Sequence, residues 1–269
     1  MFKIFDMKKW TVFILVSTVL FAFTACKPDA PLMYNSADGV YFNGASDSVV
    51  YTFAKYPTRV VDTVVVPVAV LGKPSPQDRE MNIVTVPGGD ANAIEGTHYK
   101  LLKPYKIPAN SVTGLVPVVV YRTGDMDSIA VTLNLQLKEN SSFTSGISGK
   151  ASFKIKVAYI QKPPTWGDLA GIPWAGYSTN FGTWSKTKYK LILNALYSPS
   201  ADTTVSEFPV GSHFVGQFPA IYTQYLQIVK NYIRTNYPGN YSSPLGVGAT
   251  LRDPDMPNNP VIQVGPANY

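Results

Sequence analysis

The chain has 269 residues, 45% of them hydrophobic, with a formal net charge of +6, two histidines and one cysteine. This length fits two compact domains or one large domain, and the mild charge, without a long Lys/Arg run, excludes the basic surface that nucleic-acid binding requires. A single cysteine excludes an internal disulfide, and together with two histidines it supplies too few ligands for a zinc site.

The first 25 residues are typical of an export signal peptide. Three lysines form a basic start, and residues 11–25 follow without a charged residue. That uncharged stretch is shorter than the about 20 residues that a membrane-spanning helix needs, and it ends in small residues. The sequence therefore predicts that residues 1–25 are removed after export.

Cys26 follows directly, in the sequence "FTAC". This stretch resembles a bacterial lipoprotein box, which implies that Cys26 becomes the acylated first residue of the mature protein. Two or three acyl chains hold a protein on a membrane stably, whereas one chain binds only marginally. We therefore expect a lipid-anchored outer-membrane protein on the cell surface or, alternatively, on the periplasmic face.

Residues 26–36 contain prolines and small polar residues without periodicity, which predicts a tether. Strand patterns then dominate residues 37–160. Apolar and polar residues alternate most clearly from Ile129 to Leu137, which predicts a strand with one buried face. Predicted strands cover 40–42, 48–54, 62–72, 81–87, 114–122, 128–137 and 151–160. Short, valine-rich strands separated by turn residues favour an antiparallel β-sandwich.

Two prolines fall inside these strand patterns, Pro67 and Pro117. Proline has no backbone N–H to donate to a neighbouring strand, so it is found mainly on edge strands or at bulges. The sequence therefore predicts that the strands carrying Pro67 and Pro117 lie at sheet edges or contain bulges.

Residues 161–269 form a second region that is rich in aromatic residues. Apolar residues recur at three- and four-residue steps over 218–236, which predicts an amphipathic helix of about 17 residues. A shorter helix over 184–197 is expected, or else a strand through 190–193. Because this region has much apolar surface for little regular structure, we expect it to pack against the sandwich or a partner. The predicted fold class is therefore mostly β with a mixed C-terminal part.

The stretch "AIEGTHY", residues 93–99, contains His98 beside a carboxylate and a glycine. As a catalytic site it would need a nucleophile and an orienting carboxylate, and as a zinc site it would need more His or Cys ligands. As a turn, it would use Gly96 for a positive φ angle, and Tyr99 would re-enter the core. The turn is the favoured interpretation of Gly96, His98 and Tyr99. No catalytic residue, metal site or cofactor is predicted.

The segments around this turn resemble the Calx-beta type of immunoglobulin-like sandwich. The resemblance rests on "ANAIEGTHY", "YKIPANSVTGLVPVVVYR" and "SIAVTLNLQLKENSSF". It implies an immunoglobulin-like fold and, as an alternative function, a calcium-binding adhesion domain. This chain departs from the pattern, because His98 stands where an Asp is expected. Asp125 and Asp127 alone would supply few of the six to eight oxygens that calcium takes.

A second resemblance covers most of the chain after Cys26. "DRE", "EGTHY", "IPAN", "LKENSSF" and "PPTW" occur in that order. This set is similar to the Bacteroidota lipoproteins known as domain of unknown function 4843. The resemblance implies a lipoprotein encoded beside SusC/SusD-type importers and other surface lipoproteins, without an established activity.

Several functions remain open from the sequence. We expect a non-catalytic binding or accessory subunit of a glycan or peptide uptake system, anchored to the membrane through Cys26. Alternatively, four aromatic residues form a flat platform for sugar rings, although such aromatics also fill protein cores: Trp166, Trp174, Tyr177 and Trp184. A hydrolase would need two carboxylates directed into one cleft, and no pairing of carboxylates is evident in the sequence.

Overall fold

Two five-stranded sheets form the first part of the molecule, in a computed structural model that describes residues 37–163, 166, 181–207 and 220–265. In chain order the strands are β1 (Gly39–Phe42), β2 (Ser48–Thr52), β3 (Val61–Leu71), β4 (Arg79–Thr85), β5 (Tyr99–Leu101), β6 (Tyr105–Ile107), β7 (Thr113–Tyr121), β8 (Val131–Lys138), β9 (Thr144–Ser145) and β10 (Ser152–Ala158). Sheet 1 has the order β5-β7-β3-β1-β9, and sheet 2 has the order β2-β10-β8-β4-β6. The predicted mostly-β sandwich with a helical C-terminal part is confirmed.

Most strand pairs are antiparallel, and the two exceptions are edge strands. β9 pairs parallel to β1, and β2 pairs parallel to β10. The sandwich core lies between the two sheets because alternate side chains of each strand point inward. In β8, for example, Val131, Leu133 and Leu135 are buried, whereas Ile129 lies before the strand and is 46% exposed. The predicted strand, 128–137, therefore began three residues too early.

The prediction that Pro67 and Pro117 mark edge strands or bulges was wrong. β3 and β7 are both internal, and they pair in continuous register from Val61 opposite Tyr121 to Ala69 opposite Thr113. Each proline lies just beyond the end of the short strand on its other side. The Pro67 carbonyl accepts a hydrogen bond from the Asn43 amide, and the Pro117 carbonyl accepts one from the Tyr105 hydroxyl. No strand amide partner is therefore lost at either position.

The outward faces of the two sheets differ in chemistry. Outward positions of β3 and β7 carry no charged residue, and four of their apolar side chains are 42–62% exposed, which defines the apolar face: Val61, Val65, Leu71 and Leu115. In sheet 2 the outward positions of β8 and β10 are mainly polar, among them Asn134, Gln136, Lys154 and Lys156. Because one-sided antiparallel sheets normally present polar residues to water, sheet 2 follows the ordinary pattern and sheet 1 does not.

The C-terminal part consists of the described residues after Ile160. It contains α1 (Lys186–Ala195) and α2 (Ala220–Asn236), so the predicted helices are present and the alternative strand through 190–193 is excluded. Ser185 caps α1 by accepting a hydrogen bond from the Lys188 amide at 3.1 Å. Within the described residues, neither helix combines the length and apolar character needed to cross a bilayer.

The second core connects this part to the sandwich. It includes Ala54 and Ile160, which follow β2 and β10, together with residues of both helices. Polar contacts add to this connection: Arg59 Nε lies 2.9 Å from Asp202 Oδ2, and Lys190 Nζ lies 2.6 Å from Asp127 Oδ2. The described residues from 37 onward accordingly form one compact unit.

Candidate binding site

The turn before β5 positions His98. Gly96 adopts a φ of +82°, and the amides of Thr97 and His98 both donate to the Ile94 carbonyl. These bonds fold the chain tightly and bring the imidazole inward, where His98 is only 5% exposed. Tyr99 then enters the sandwich core as the first residue of β5.

Both ring nitrogens of His98 have partners within the protein. The Ile94 amide donates to Nδ1 at 2.9 Å, and Nε2 lies 3.1 Å from Asp125 Oδ2. Because Nδ1 accepts a hydrogen bond, the ring hydrogen is on Nε2 and is donated to Asp125. Neither nitrogen is available to bind a metal or to accept a proton from a substrate. The ring therefore fastens the turn to the Asp125 segment.

The acids near this turn also have structural partners. The Thr123 hydroxyl donates to Asp125, and this bond, together with His98, lowers the pKa of the Asp125 carboxyl. Asp127 forms its ion pair with Lys190. Across the described ranges, no three His, Cys, Asp or Glu side chains lie close enough together to hold a metal ion.

The predicted aromatic platform is only partly within the described residues, because Trp174 and Tyr177 lie outside them, as does Cys26. Trp184 is half-buried and packs against the C-terminal core. Trp166 is buried, and its Nε1 donates to the Gly182 carbonyl at 3.1 Å. Trp166 and Trp184 therefore contribute to packing.

Two cavities lie along β10 on the outward face of sheet 2, and together we call them the groove. The loop-side cavity, about 480 Å³, lies around Lys154 and is bounded by Asp47, Asp90 and Asn134. The C-terminal cavity, about 450 Å³, lies around Lys156 and is bounded by Gln161 and Glu207, among others. At about 3.3 Å per residue, the outward positions of β10 span roughly 20 Å, which is long enough for an extended ligand.

Long-range contacts form the two walls of the groove. On one side, the 86–93 loop folds over β8, where the Asn92 side chain accepts a hydrogen bond from the Thr132 amide at 2.7 Å. On the other side the C-terminal part closes the groove, and Tyr189 donates a 2.6 Å hydrogen bond to the Ser206 carbonyl. Burial raises the pKa of Tyr189, so this phenol is a neutral donor.

Charges are distributed unevenly along the groove. In the loop-side cavity Lys154 Nζ lies 3.0 Å from Asp90 and lowers the pKa of that carboxyl. In the C-terminal cavity Lys156 and Lys162 have no ion-pair partner in the described part of the chain, and Glu207 lies at the same rim. Buried Gln161 Nε2 likewise lacks a hydrogen-bond partner there. This arrangement can bind a polar ligand, but among the described lining residues Glu207 is the single carboxylate.

Sequence reasoning did not find this groove. Lys154 and Lys156 fit the outward positions of an ordinary alternating strand. Gln161 follows β10 by three residues, whereas Glu207 comes from a distant part of the chain, and only the packing of the C-terminal part places Glu207 beside β10.

Comparison with known proteins identifies a family for the greater part of the chain. The profile of the family described as "Domain of unknown function (DUF4843)" matches residues 32–197. A search of curated proteins gave no significant match.

Several solved structures resemble part of the chain. A candidate carbohydrate-binding protein from Bacteroides ovatus is 14% identical, with a TM-score of 0.33, over 45% of this chain and 36% of its own. A two-domain protein of unknown function from Bacteroides fragilis is 11% identical, with a TM-score of 0.35, over 46% of each chain. A multidomain Bacteroides ovatus protein that includes DUF1735 is 20% identical, with a TM-score of 0.33, over 45% of each chain. This chain thus spans less than half the length of these structures.

Proposed function

The chain belongs to the DUF4843 family, and from this premise we propose that it is a surface-exposed outer-membrane lipoprotein. It acts as a non-catalytic binding or accessory subunit of a nutrient uptake system, held on the membrane through Cys26. The partners are an importer of the SusC/SusD type and other surface lipoproteins. The nutrient is a glycan or a peptide.

The apolar face of sheet 1 is the observation that carries the accessory role. Leu115 is 62% exposed and Val65 49% exposed, and the outward positions around them on β3 and β7 are uncharged. An exposed apolar patch on a sheet is typical of a protein–protein contact. The patch therefore supports a protein partner for this face.

The position of the groove supports separate surfaces for the protein partner and for the ligand. It lies on the outward face of sheet 2, on the opposite side of the sandwich core from the apolar face. A protein bound to sheet 1 would therefore leave the groove open for a ligand. The engagement of both His98 nitrogens supports a binding role over a catalytic one.

Membrane attachment is tested with Cys26→Ala. We expect the variant to lose lipid labelling and to move from the membrane fraction to the soluble fraction, because acylation needs the thiol. Wild-type membrane retention of Cys26→Ala would contradict the anchor.

The partner surface is tested by capture from native membranes. We expect the double variant Val65→Lys, Leu115→Lys to lose the captured importer, because two buried ammonium groups cannot be accommodated in an apolar contact. Leu245→Lys is the matched control, since Leu245 is 55% exposed and belongs to the C-terminal part, not to a strand of sheet 1. Equal capture by the double variant and the control would refute the assignment of this face.

A further inference from the structure

The distribution of charged residues around the C-terminal cavity indicates a class of ligand. We infer that this cavity binds the carboxylate of an acidic nutrient, either a uronic-acid sugar or the C-terminal carboxylate of a peptide. The inference rests on the proposed role in nutrient binding and specifies its ligand.

The lysines of the cavity are the first observation that supports a carboxylate ligand. Lys156 projects outward from β10, and Lys162 lies a few residues further along the chain. Neither forms an ion pair within the described residues; Lys154 is paired with Asp90, and Lys156 has only a weaker electrostatic effect on that carboxyl. With Glu207 at the rim, the described residues that line the cavity carry a net charge of +1. That balance complements a monoanionic carboxylate better than a dianionic phosphate.

Neutral donors provide the second support. Gln161 Nε2 is buried at the cavity wall without an acceptor among the described residues. A buried amide donor without a partner is unfavourable, and rotation of the terminal amide toward the cavity would let a ligand oxygen satisfy it. Thr52 already accepts a hydrogen bond from the Ala54 amide, which leaves its hydroxyl hydrogen to donate. Both groups can therefore donate to a carboxylate oxygen.

The aromatic residues of the cavity do not offer a platform for a neutral sugar. The Tyr159 ring already contacts two cations, Arg122 at 4.6 Å and Lys190 at 5.7 Å from the ring centroid. Tyr189 is 2% exposed, and its hydroxyl is bonded to Ser206. Recognition of a carboxylate in this cavity therefore depends on charge and hydrogen bonding, and exposed Val50 offers an apolar contact beside these groups.

The test uses the full-length chain in a non-ionic detergent and isothermal titration at low ionic strength. The probes are digalacturonate, its neutral counterpart digalactose, trialanine and trialanine amide. We expect at least one carboxylate probe to bind about tenfold or more tightly than its neutral counterpart. Added salt should reduce that difference, because the lysines are exposed and their charges are screened.

Variants locate the binding in the cavity. Lys156→Gln removes a cation and Gln161→Glu adds a negative charge at nearly constant shape, so each should weaken the carboxylate probe about tenfold. Lys100→Gln is the matched control, because Lys100 is an exposed lysine on sheet 1. Circular dichroism and urea unfolding establish that each variant is folded, and Lys156→Gln changes only an exposed side chain.

Every outcome of these titrations either supports or contradicts carboxylate binding in the C-terminal cavity. Binding of digalacturonate alone identifies a glycan source, binding of trialanine alone identifies a peptide source, and binding of both supports recognition of the carboxylate itself. Equal affinity for charged and neutral probes, no binding of any carboxylate probe, or an unchanged affinity in Lys156→Gln would overturn it. If the carboxylate probes fail while the apolar face still captures its partner, this inference falls and the accessory role stands.

Discussion

Replacing His98 distinguishes a structural imidazole from a reactive one. The ring accepts a hydrogen bond from the Ile94 amide and donates one to Asp125. His98→Ala removes both contacts and leaves the Ile94 amide without its acceptor. His98→Asn places an amide oxygen close to the position of Nδ1, so it retains the first contact and loses the second.

The two contacts have different expected magnitudes. An amide left without its acceptor costs about 1–3 kcal/mol, and the lower end applies here because Ile94 is 59% exposed. The Asp125 contact contributes about 0–1 kcal/mol, since that side chain is 42% exposed and screened by water. We therefore expect His98→Ala to be less stable than His98→Asn by about 1 kcal/mol.

The assay is urea unfolding of the full-length chain, followed by tryptophan fluorescence and by circular dichroism. The free-energy difference is obtained from the shift in midpoint at a common m-value. Because both substitutions remove most of the ring, the difference between them isolates the acceptor at Nδ1. Equal stabilities for the two variants would refute this account of the turn. A stable His98→Ala protein that has lost all ligand capture would instead indicate a functional imidazole.

Two further predictions concern stability. Gly96→Val should destabilise the protein by about 1–2 kcal/mol, because a branched residue does not adopt a positive φ easily. Nothing lies within 4 Å of an added Cβ at this position, so Gly96→Asn should lose less stability in thermal unfolding. Similar losses for the two variants would contradict a backbone origin. Hydrogen bonds from Thr58 and Arg59 lower the folded-state pKa of Asp202, so its contribution to stability is present above the unfolded-state pKa and is lost as pH falls through the folded-state pKa. Asp202→Asn should therefore flatten the acid side of the stability–pH curve, and an unchanged slope would show that the hydrogen bonds to the Asp202 carboxylate do not contribute to stability.

Strands and helices were predicted correctly where the hydrophobic pattern was long and depended only on neighbouring residues. The alternation along β8 and β10 identified which side chains face the core, and the three- and four-residue spacing identified α2. The edge-strand prediction made from Pro67 and Pro117 was wrong because a sequence pattern does not indicate where the neighbouring strand ends. Pro67 lies inside an internal strand, yet its missing N–H matters little there because β1 stops at Phe42.

The candidate site was harder to predict than the fold. His98 is one of two histidines in the chain and was therefore a candidate reactive residue. Only the geometry shows that both of its ring nitrogens are engaged in hydrogen bonds. Gln161 and Glu207 carry no motif and could not be chosen from the sequence. Their position at one cavity follows from how the C-terminal part packs against β10.

By itself, the sequence determined the features that depend on neighbouring residues. These are the inward and outward faces of the strands and the two helices, while the export signal and the lipid anchor at Cys26 stay predictions from the sequence. Only the tertiary structure decided which outward face stays apolar and exposed, and which one becomes a groove between the 86–93 loop and the C-terminal part. The physical reason is that alternation is a local property of one strand. Enclosure and charge balance arise when segments far apart in the chain pack together.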